Sequence, residues 1–266
     1  MGSEAKTSKL LESQGFRHAF FTRLGGVSPA PFASLNFAAN TGDSLENVAR
    51  NLEVAGAALG VPADKVYFLS QVHGVDALEV GAALDRTEVV YREGDATFST
   101  EGSLACGVRS ADCGTVLVGD RRSGAALAIH SGWQGTVKRI VPIALARFRE
   151  RLGGTVELVA AVGPMIEVCC FEVGDDVAAE LSAASPLGEA AVDRSRAKAH
   201  VDLRRILEAQ LAEAGVAIDQ MEHVRGCTMC NPGEYFSFRR EGKVSGRMLA
   251  AIVPRPSESR RDAPRY

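Results

Sequence analysis

Two apolar runs constrain this chain more than anything else in it: Thr115-Val116-Leu117-Val118 and Ala125-Ala126-Leu127-Ala128-Ile129, bridged by Gly119-Asp120-Arg121-Arg122-Ser123-Gly124. Apolar runs of four or five residues bounded by glycine and aspartate read as buried strands, and the bridge reads as a hairpin loop. A buried hairpin commits the chain to at least one sheet with covered faces. Further strands are expected at 19–23, 66–69, 77–80, 156–162, 222–224 and 247–253, and through the alternating Leu104, Cys106 and Val108.

Helices interrupt these strands. Asp43-Ser44 can cap a helix whose apolar positions Leu45, Val48, Leu52, Ala55 and Leu59 recur at helical spacing, with Gly60 and Pro62 as its stop. Residues 136–152 turn helical, with Pro142 marking a kink or a late start. Segments 175–181 and 202–214 are helical as well, the second closed by Gly215. No fixed-period repeat, low-complexity block or linker divides the chain. The expectation is one α+β domain over 16–253, a layered sandwich of mixed β-sheets flanked by helices. Residues 1–15 would be a flexible lead-in and 254–266 a flexible basic tail.

Six cysteines and a net charge of −3 bound the function classes. The charge gives no electrostatic case for a nucleic-acid partner. No run approaches the roughly 20 apolar residues that a membrane helix needs. The start, Met1-Gly2-Ser3-Glu4-Ala5-Lys6, lacks a signal peptide's apolar segment, so a cytoplasmic location is expected. There, free thiols or metal ligands are the better reading of the cysteines than disulfides.

Three short segments carry the chemistry: Val72-His73-Gly74, Ala111-Asp112-Cys113 and His130-Ser131-Gly132-Trp133-Gln134-Gly135. Of only five histidines, His73 and His130 follow apolar strands and precede glycine within two positions, where loops on a rigid sheet concentrate function. His18, His200 and His223 read as ordinary core or surface groups. Cys113, between Asp112 and Gly114, is polar in setting, whereas Cys106 reads as core. Two imidazoles and a thiolate suit a borderline-soft metal such as zinc with a fourth position open. Cys113 with His130 alternatively makes a nucleophile–base pair. The single Cys227-Thr228-Met229-Cys230 is weak support for a metal, and the adjacent Cys169-Cys170, unable to share one face of a strand, read as packing residues. Arg23, Arg239-Arg240 and Arg247 sit beside turns and small residues that would expose guanidinium forks to phosphate or carboxylate.

Taken together and in order, the motifs resemble the YfiH-type family of bacterial purine nucleoside phosphorylases, also called the laccase-domain or peptidoglycan editing factor family. The matching segments are Phe21-Thr22-Arg23-Leu24-Gly25-Gly26-Val27-Ser28, Ser70-Gln71-Val72-His73-Gly74, Ala111-Asp112-Cys113 and His130-Ser131-Gly132-Trp133. Gly163-Pro164-Met165-Ile166, Cys170-Phe171-Glu172-Val173-Gly174, Cys227-Thr228 and Phe236-Ser237-Phe238-Arg239-Arg240 with Gly246-Arg247 complete the set. This chain departs in writing Ser131 and Gln134 where the family usually has alanine and arginine, Thr115 where a proline is usual, and Leu52 in place of an arginine.

The resemblance implies zinc on His73, Cys113 and His130. It implies phosphorolysis of adenosine, inosine, guanosine and methylthioadenosine, and hydrolytic deamination of adenosine. Arg23, Arg240 and Arg247 are then the phosphate candidates, Trp133 a substrate contact, and Asp112 the carboxylate nearest in sequence for proton shuttling. Two other activities are weighed. Copper in the same trio would give a laccase-like polyphenol oxidase, although a multicopper enzyme commonly uses His-x-His pairs and this chain has none. A Cys113–His130 hydrolase would edit peptidoglycan precursors.

Overall fold

The computed structural model describes residues 4–255, and the tail beyond Arg255 lies outside the described residues. Two mixed sheets form the centre. The larger has six strands in the spatial order Met221–His223, Leu158–Val162, Gly114–Asp120, Ala126–Ser131, Ala96–Ser99, Ala77–Glu79. The expected hairpin is its middle pair, antiparallel and in register from Gly114 opposite Ser131 to Gly119 opposite Ala126. Its outermost pairs, Met221–His223 with Leu158–Val162 and Ala77–Glu79 with Ala96–Ser99, run parallel. The second sheet orders Ala5–Lys6, Arg17–Phe21, Met248–Val253, Ala105–Ser110 and Val66–Tyr67. A small antiparallel sheet joins Glu172–Val173, Ala199–Val201 and Val192–Asp193.

Side-chain alternation stacks these sheets into layers. Leu117, Ala126, Ala128 and Ala161 face Phe20, Cys106, Val108, Ala250 and Ile252 between the two large sheets. Val116, Val118, Leu127 and Ile129 point the other way, against Ile140, Leu145 and Phe148 of the helix Ile140–Leu152 and Leu207 and Leu211 of the helix Leu203–Glu213. The helix Leu45–Leu59 covers the outer face of the second sheet through Val48, Leu52, Ala55 and Leu59. Each buried leucine contributes about 1.5–3 kcal/mol. The α+β sandwich with mixed sheets and flanking helices therefore stands, as a single domain.

Local signals set many boundaries. Ser44 caps its helix by accepting from the Asn47 N–H at 3.1 Å, and Gly60, in the left-handed region at φ 67°, ends it. Leu45 is 78% exposed and lies off the buried stripe. The expected helix 136–152 is two helices, Trp133–Val137 and Ile140–Leu152, broken at Arg139 with φ 63°. Pro142 thus falls in a first turn, where its missing N–H costs nothing, so it marks a late start and not a kink.

The lead-in is corrected. Ala5–Lys6 pairs with Arg17–Phe21, and the helix Lys9–Ser13 is capped by Ser8 and buries Leu11 completely. Glu222 accepts from the Ser8 hydroxyl at 2.6 Å and the Leu10 N–H at 2.7 Å, and His18 Nε2 from the Ser8 N–H at 2.7 Å. Among the described residues no helix is long and apolar enough to cross a membrane.

Candidate metal centre and its cavity

His73, Cys113 and His130 converge at one end of the space between the two large sheets. His130 is the penultimate residue of Ala126–Ser131, opposite Thr115, and Cys113 immediately precedes Gly114–Asp120. His73 arrives on the loop that leaves Val66–Tyr67. The strand-end positions read in the sequence are what the hairpin register brings together. Cys113 Sγ lies 3.8 Å from His73 Nε2, the two imidazole centroids are 5.1 Å apart, and the three ligand atoms lie within 4.8 Å of one another. A tetrahedral zinc ion with bonds of about 2.0–2.3 Å requires ligand–ligand separations of about 3.4–3.6 Å, which the Cys113–His73 pair meets within tenths of an ångström and the trio as a whole meets by closing in around the ion.

Asp95, a residue not singled out from the sequence, fixes this arrangement. Its buried carboxylate accepts from the N–H groups of Val72 at 3.2 Å, His73 at 3.1 Å and Gly74 at 2.7 Å, which holds the His73 loop with His73 itself at φ 57°. It also lies 2.8 Å from His130 Nδ1. With Nδ1–H given to Asp95, the His130 lone pair is on Nε2, toward Cys113; a carboxylate on the far nitrogen is the usual support of a ligating histidine. Burial opposes the charge of Asp95, but the bonds from His130 and the loop N–H groups outweigh it and hold the carboxyl below its ordinary range.

Charge within the trio is already polarised. Burial pushes the Cys113 thiol up, yet His130 and His73 draw it down to about 6, and Cys113 with Asp95 lifts His130 to about 9 against its own burial. Thiolate is the form a metal needs. Gly132 leaves the room: a Cβ there would lie 2.7 Å from Cys113 Sγ and 2.9 Å from the His73 ring.

The trio opens into a cavity of about 470 Å³ whose wall includes Gln71, Arg109, Asp112, Trp133, Phe171, Phe238, Arg239 and Arg247. Of the arginines expected to take phosphate, Arg247 lines it. Arg23 and Arg240 do not, and both are ion-paired with Glu241. Arg23 donates to the carbonyls of Ala33 and Pro232 and to Glu241, stacked 4.3 Å over Phe236. Arg240 donates to the carbonyls of Thr228, Met229 and Tyr235 and to Glu241. Both are fasteners of the 228–241 segment.

Arg109, not singled out from the sequence, also lines the cavity. It lies on Ala105–Ser110, 4.4 Å over the Phe68 ring; its Nη1 and Nη2 donate to the carbonyls of Phe37 and Leu69 at 3.2 Å each, and its buried Nε has no hydrogen-bond partner. Burial and the neighbouring positive charges of Arg247 and Arg86 pull it down to about 10. A guanidinium in a cavity wall whose charged neighbours are other arginines can attract an anion.

Asp112 reaches the cavity wall, but its carboxylate already accepts three hydrogen bonds, from Thr228 Oγ1 at 2.5 Å, Ser237 Oγ at 3.0 Å and the Arg239 N–H at 2.7 Å. A carboxylate so occupied braces a loop and is poorly placed to shuttle protons, which corrects the expectation from its position beside Cys113. The departures at 131, 134 and 115 also lie off the wall. The Ser131 hydroxyl is buried 2.9 Å from Thr136, Gln134 is exposed, and Thr115 is buried outside the cavity lining.

Comparison with known proteins agrees with this architecture. Residues 17–255 match the family model of the multi-copper polyphenol oxidoreductase laccase. A purine nucleoside phosphorylase of Deinococcus radiodurans is 38% identical over 240 residues, covering 90% of this chain and 89% of its own. Adenosine deaminase RL5, from an unknown prokaryotic organism, is 32% identical and covers 88% and 92%. The crystal structure of the Bacillus licheniformis hypothetical protein YfiH superposes with a TM-score of 0.85 at 26% identity, covering 92% of this chain and 94% of that one. With its ordered motifs, its sandwich and these relatives, this chain belongs to the YfiH-type, laccase-domain family.

Proposed function

We propose that this protein is a zinc-dependent purine nucleoside phosphorylase that acts on adenosine, inosine, guanosine and methylthioadenosine and also deaminates adenosine. The observation that carries the reading is the pairing, in one cavity, of a metal-ligand trio with two arginines, Arg109 and Arg247; relatives named for both activities support it. Zinc held by His73, Cys113 and His130 would supply a Lewis acid in the cavity wall.

The chain's own residues account for the rest. Arg109 and Arg247 receive the phosphate, and their positive field favours an anion entering beside a neutral nucleoside. Trp133, Phe171 and Phe238 offer aromatic faces to the purine. In phosphorolysis a phosphate oxygen bonds to C1′ as the C1′–N9 bond breaks, and the base leaves with a proton; in deamination water replaces the C6 amine and ammonia leaves. Asp95 keeps His130 oriented through both. The reading places the enzyme in the cytoplasm, with no nucleic-acid or membrane partner.

The test is turnover of inosine and adenosine by the zinc-loaded protein, followed by chromatography with and without phosphate. Hypoxanthine and adenine formed only with phosphate are expected, alongside phosphate-independent inosine from adenosine. No release of base at any phosphate concentration would sink the phosphorylase reading. Copper remains a ligand the same trio can take, since copper binds such sites more tightly than zinc; phenol oxidation by copper-loaded but not zinc-loaded protein is its test.

One observation favours a second reading. Cys113, His130 and Asp95 line up as thiolate, imidazole and carboxylate, the arrangement of a cysteine hydrolase that could act on peptidoglycan precursors. His73 against the same thiolate argues for a metal instead. Alkylation of Cys113 by iodoacetamide in the zinc-loaded protein distinguishes them: protection is expected, and rapid modification at one zinc per trio would favour the hydrolase.

A further inference from the structure

Cys169 and Cys170, which read as packing residues in the sequence, meet the C-x-x-C pair Cys227 and Cys230 in a second cluster. Cys169, Cys170, Cys227 and Cys230 bring their four Sγ atoms within 4.8 Å of one another, with Cys170–Cys230 at 3.3 Å and Cys169–Cys230 at 3.6 Å. The objection that adjacent cysteines diverge holds only for a strand, and residues 168–170 are a turn, in which the N–H groups of Cys170 and Phe171 both donate to the Glu167 carbonyl.

Backbone pairing docks this turn against the C-x-x-C loop. Met165 bridges Cys227 in parallel: its N–H donates to the Gly226 carbonyl at 3.1 Å, and its carbonyl accepts from Thr228 at 3.1 Å. The C-x-x-C segment then folds back on itself, with the Asn231 N–H on the Cys227 carbonyl at 3.2 Å. Two loops, each carrying two thiols, are thus held side by side by the main chain.

We propose that Cys169, Cys170, Cys227 and Cys230 are a second metal site, a closed all-thiolate zinc site with a structural role. A tetrahedron of sulfurs about 2.3 Å from zinc has edges of about 3.8 Å, within the spread of separations seen here. Four sulfur donors select a soft ion and leave no coordination position for water, so the site holds structure and performs no chemistry. Glu167, the nearby carboxylate, is engaged with Arg204 at 3.2 Å.

What the site secures is one wall of the substrate cavity. Phe171, next to Cys170, lines that cavity, and Thr228, next to Cys227, donates to Asp112 beside the first metal ligand. The proposal is independent of the phosphorylase reading, since it requires no turnover.

Metal analysis of the full-length protein, purified under reducing conditions, tests it. Two zinc ions per chain are expected. The double variant His73→Ala/Cys113→Ser should keep one, and its cobalt-substituted form should show the intense near-ultraviolet sulfur-to-cobalt absorption of several thiolates. Cys170→Ser/Cys230→Ser should keep the other ion, with the weaker absorption of a single thiolate; should that variant fail to fold, the trio variant still decides the matter. A single zinc per chain that disappears with the trio would overturn the proposal. So would an intact mass showing disulfides among these four cysteines in the protein as purified.

Discussion

The two sulfur-bearing clusters of this molecule are built in opposite ways. His73, Cys113 and His130 are mixed donors at the end of a buried sheet, spaced by strand register and braced by the buried Asp95. The cysteine quartet is uniform in donor and borne on two surface turns, with Cys169 and Cys230 exposed. A three-ligand site whose fourth side faces a cavity is arranged to react, and a four-ligand site without an open side is arranged to hold. The difference teaches that sheet register supplies precision where substrate meets metal, while paired turns suffice where only cross-linking is needed.

The largest expected effects would separate the two clusters outright. His73→Ala should abolish turnover, by about 10³-fold or more given what a catalytic metal contributes, while the quartet's ion stays bound. Gly132→Ala should do nearly as much, because its Cβ would intrude on Cys113 and His73 at once. Zinc analysis beside activity checks both, and loss of both ions in His73→Ala would break the distinction. Asp95→Asn comes next: removing a carboxylate behind a ligating histidine costs about 10–100-fold in metal affinity. Competition with a zinc chelator should register that loss at the trio only.

A smaller and graded effect follows from proton competition at the trio. A metal displaces the proton of Cys113, held to about pH 6, and that of His130, held to about pH 9. Above 9 this pair has no proton to lose. Between 9 and 6 one must leave, so affinity should fall about tenfold per unit as pH drops, and below 6, where two must leave, about a hundredfold per unit. Chelator competition at pH 5.5, 7 and 8.5 reads the slope; a flat profile would mean the thiolate–imidazolium pair does not exist before metal binds.

How much of this was legible in the sequence depended on how local each signal was. Ser44, the helical apolar spacing and Gly60 lie within one element, so the helix Leu45–Leu59 is legible with its cap and its stop. His73, Cys113 and His130 were legible because each follows a strand that announces itself. Asp95 was not, because its role depends on partners 21 to 35 positions away. Its one signal was a charged residue between Gly94 and the apolar start of a strand. Arg109 hid inside a strand, where exposure to a cavity leaves no mark on the pattern, whereas Arg23 and Arg240 looked exposed beside turns whose carbonyls in fact engage them. The quartet escapes the pattern because adjacent cysteines read as divergent on a strand, whereas 168–170 form a turn docked on the C-x-x-C loop.

The smallest expected effect probes whether the pleat alone separates the trio from its surroundings. Ser131 follows His130 directly, but strand alternation turns its hydroxyl to the opposite face, 2.9 Å from Thr136 Oγ1 and fully buried. Ser131→Ala removes one buried hydrogen bond, which costs about 1 kcal/mol and leaves a Thr136 hydroxyl free to turn elsewhere. Thermal unfolding should register that loss, while zinc stoichiometry and kcat/KM for inosine should stay within about twofold of the parent. Altered kinetics at full zinc occupancy would mean that this face of the strand communicates with the ligands after all, and that the trio's precision rests on packing behind the sheet as well as on Asp95.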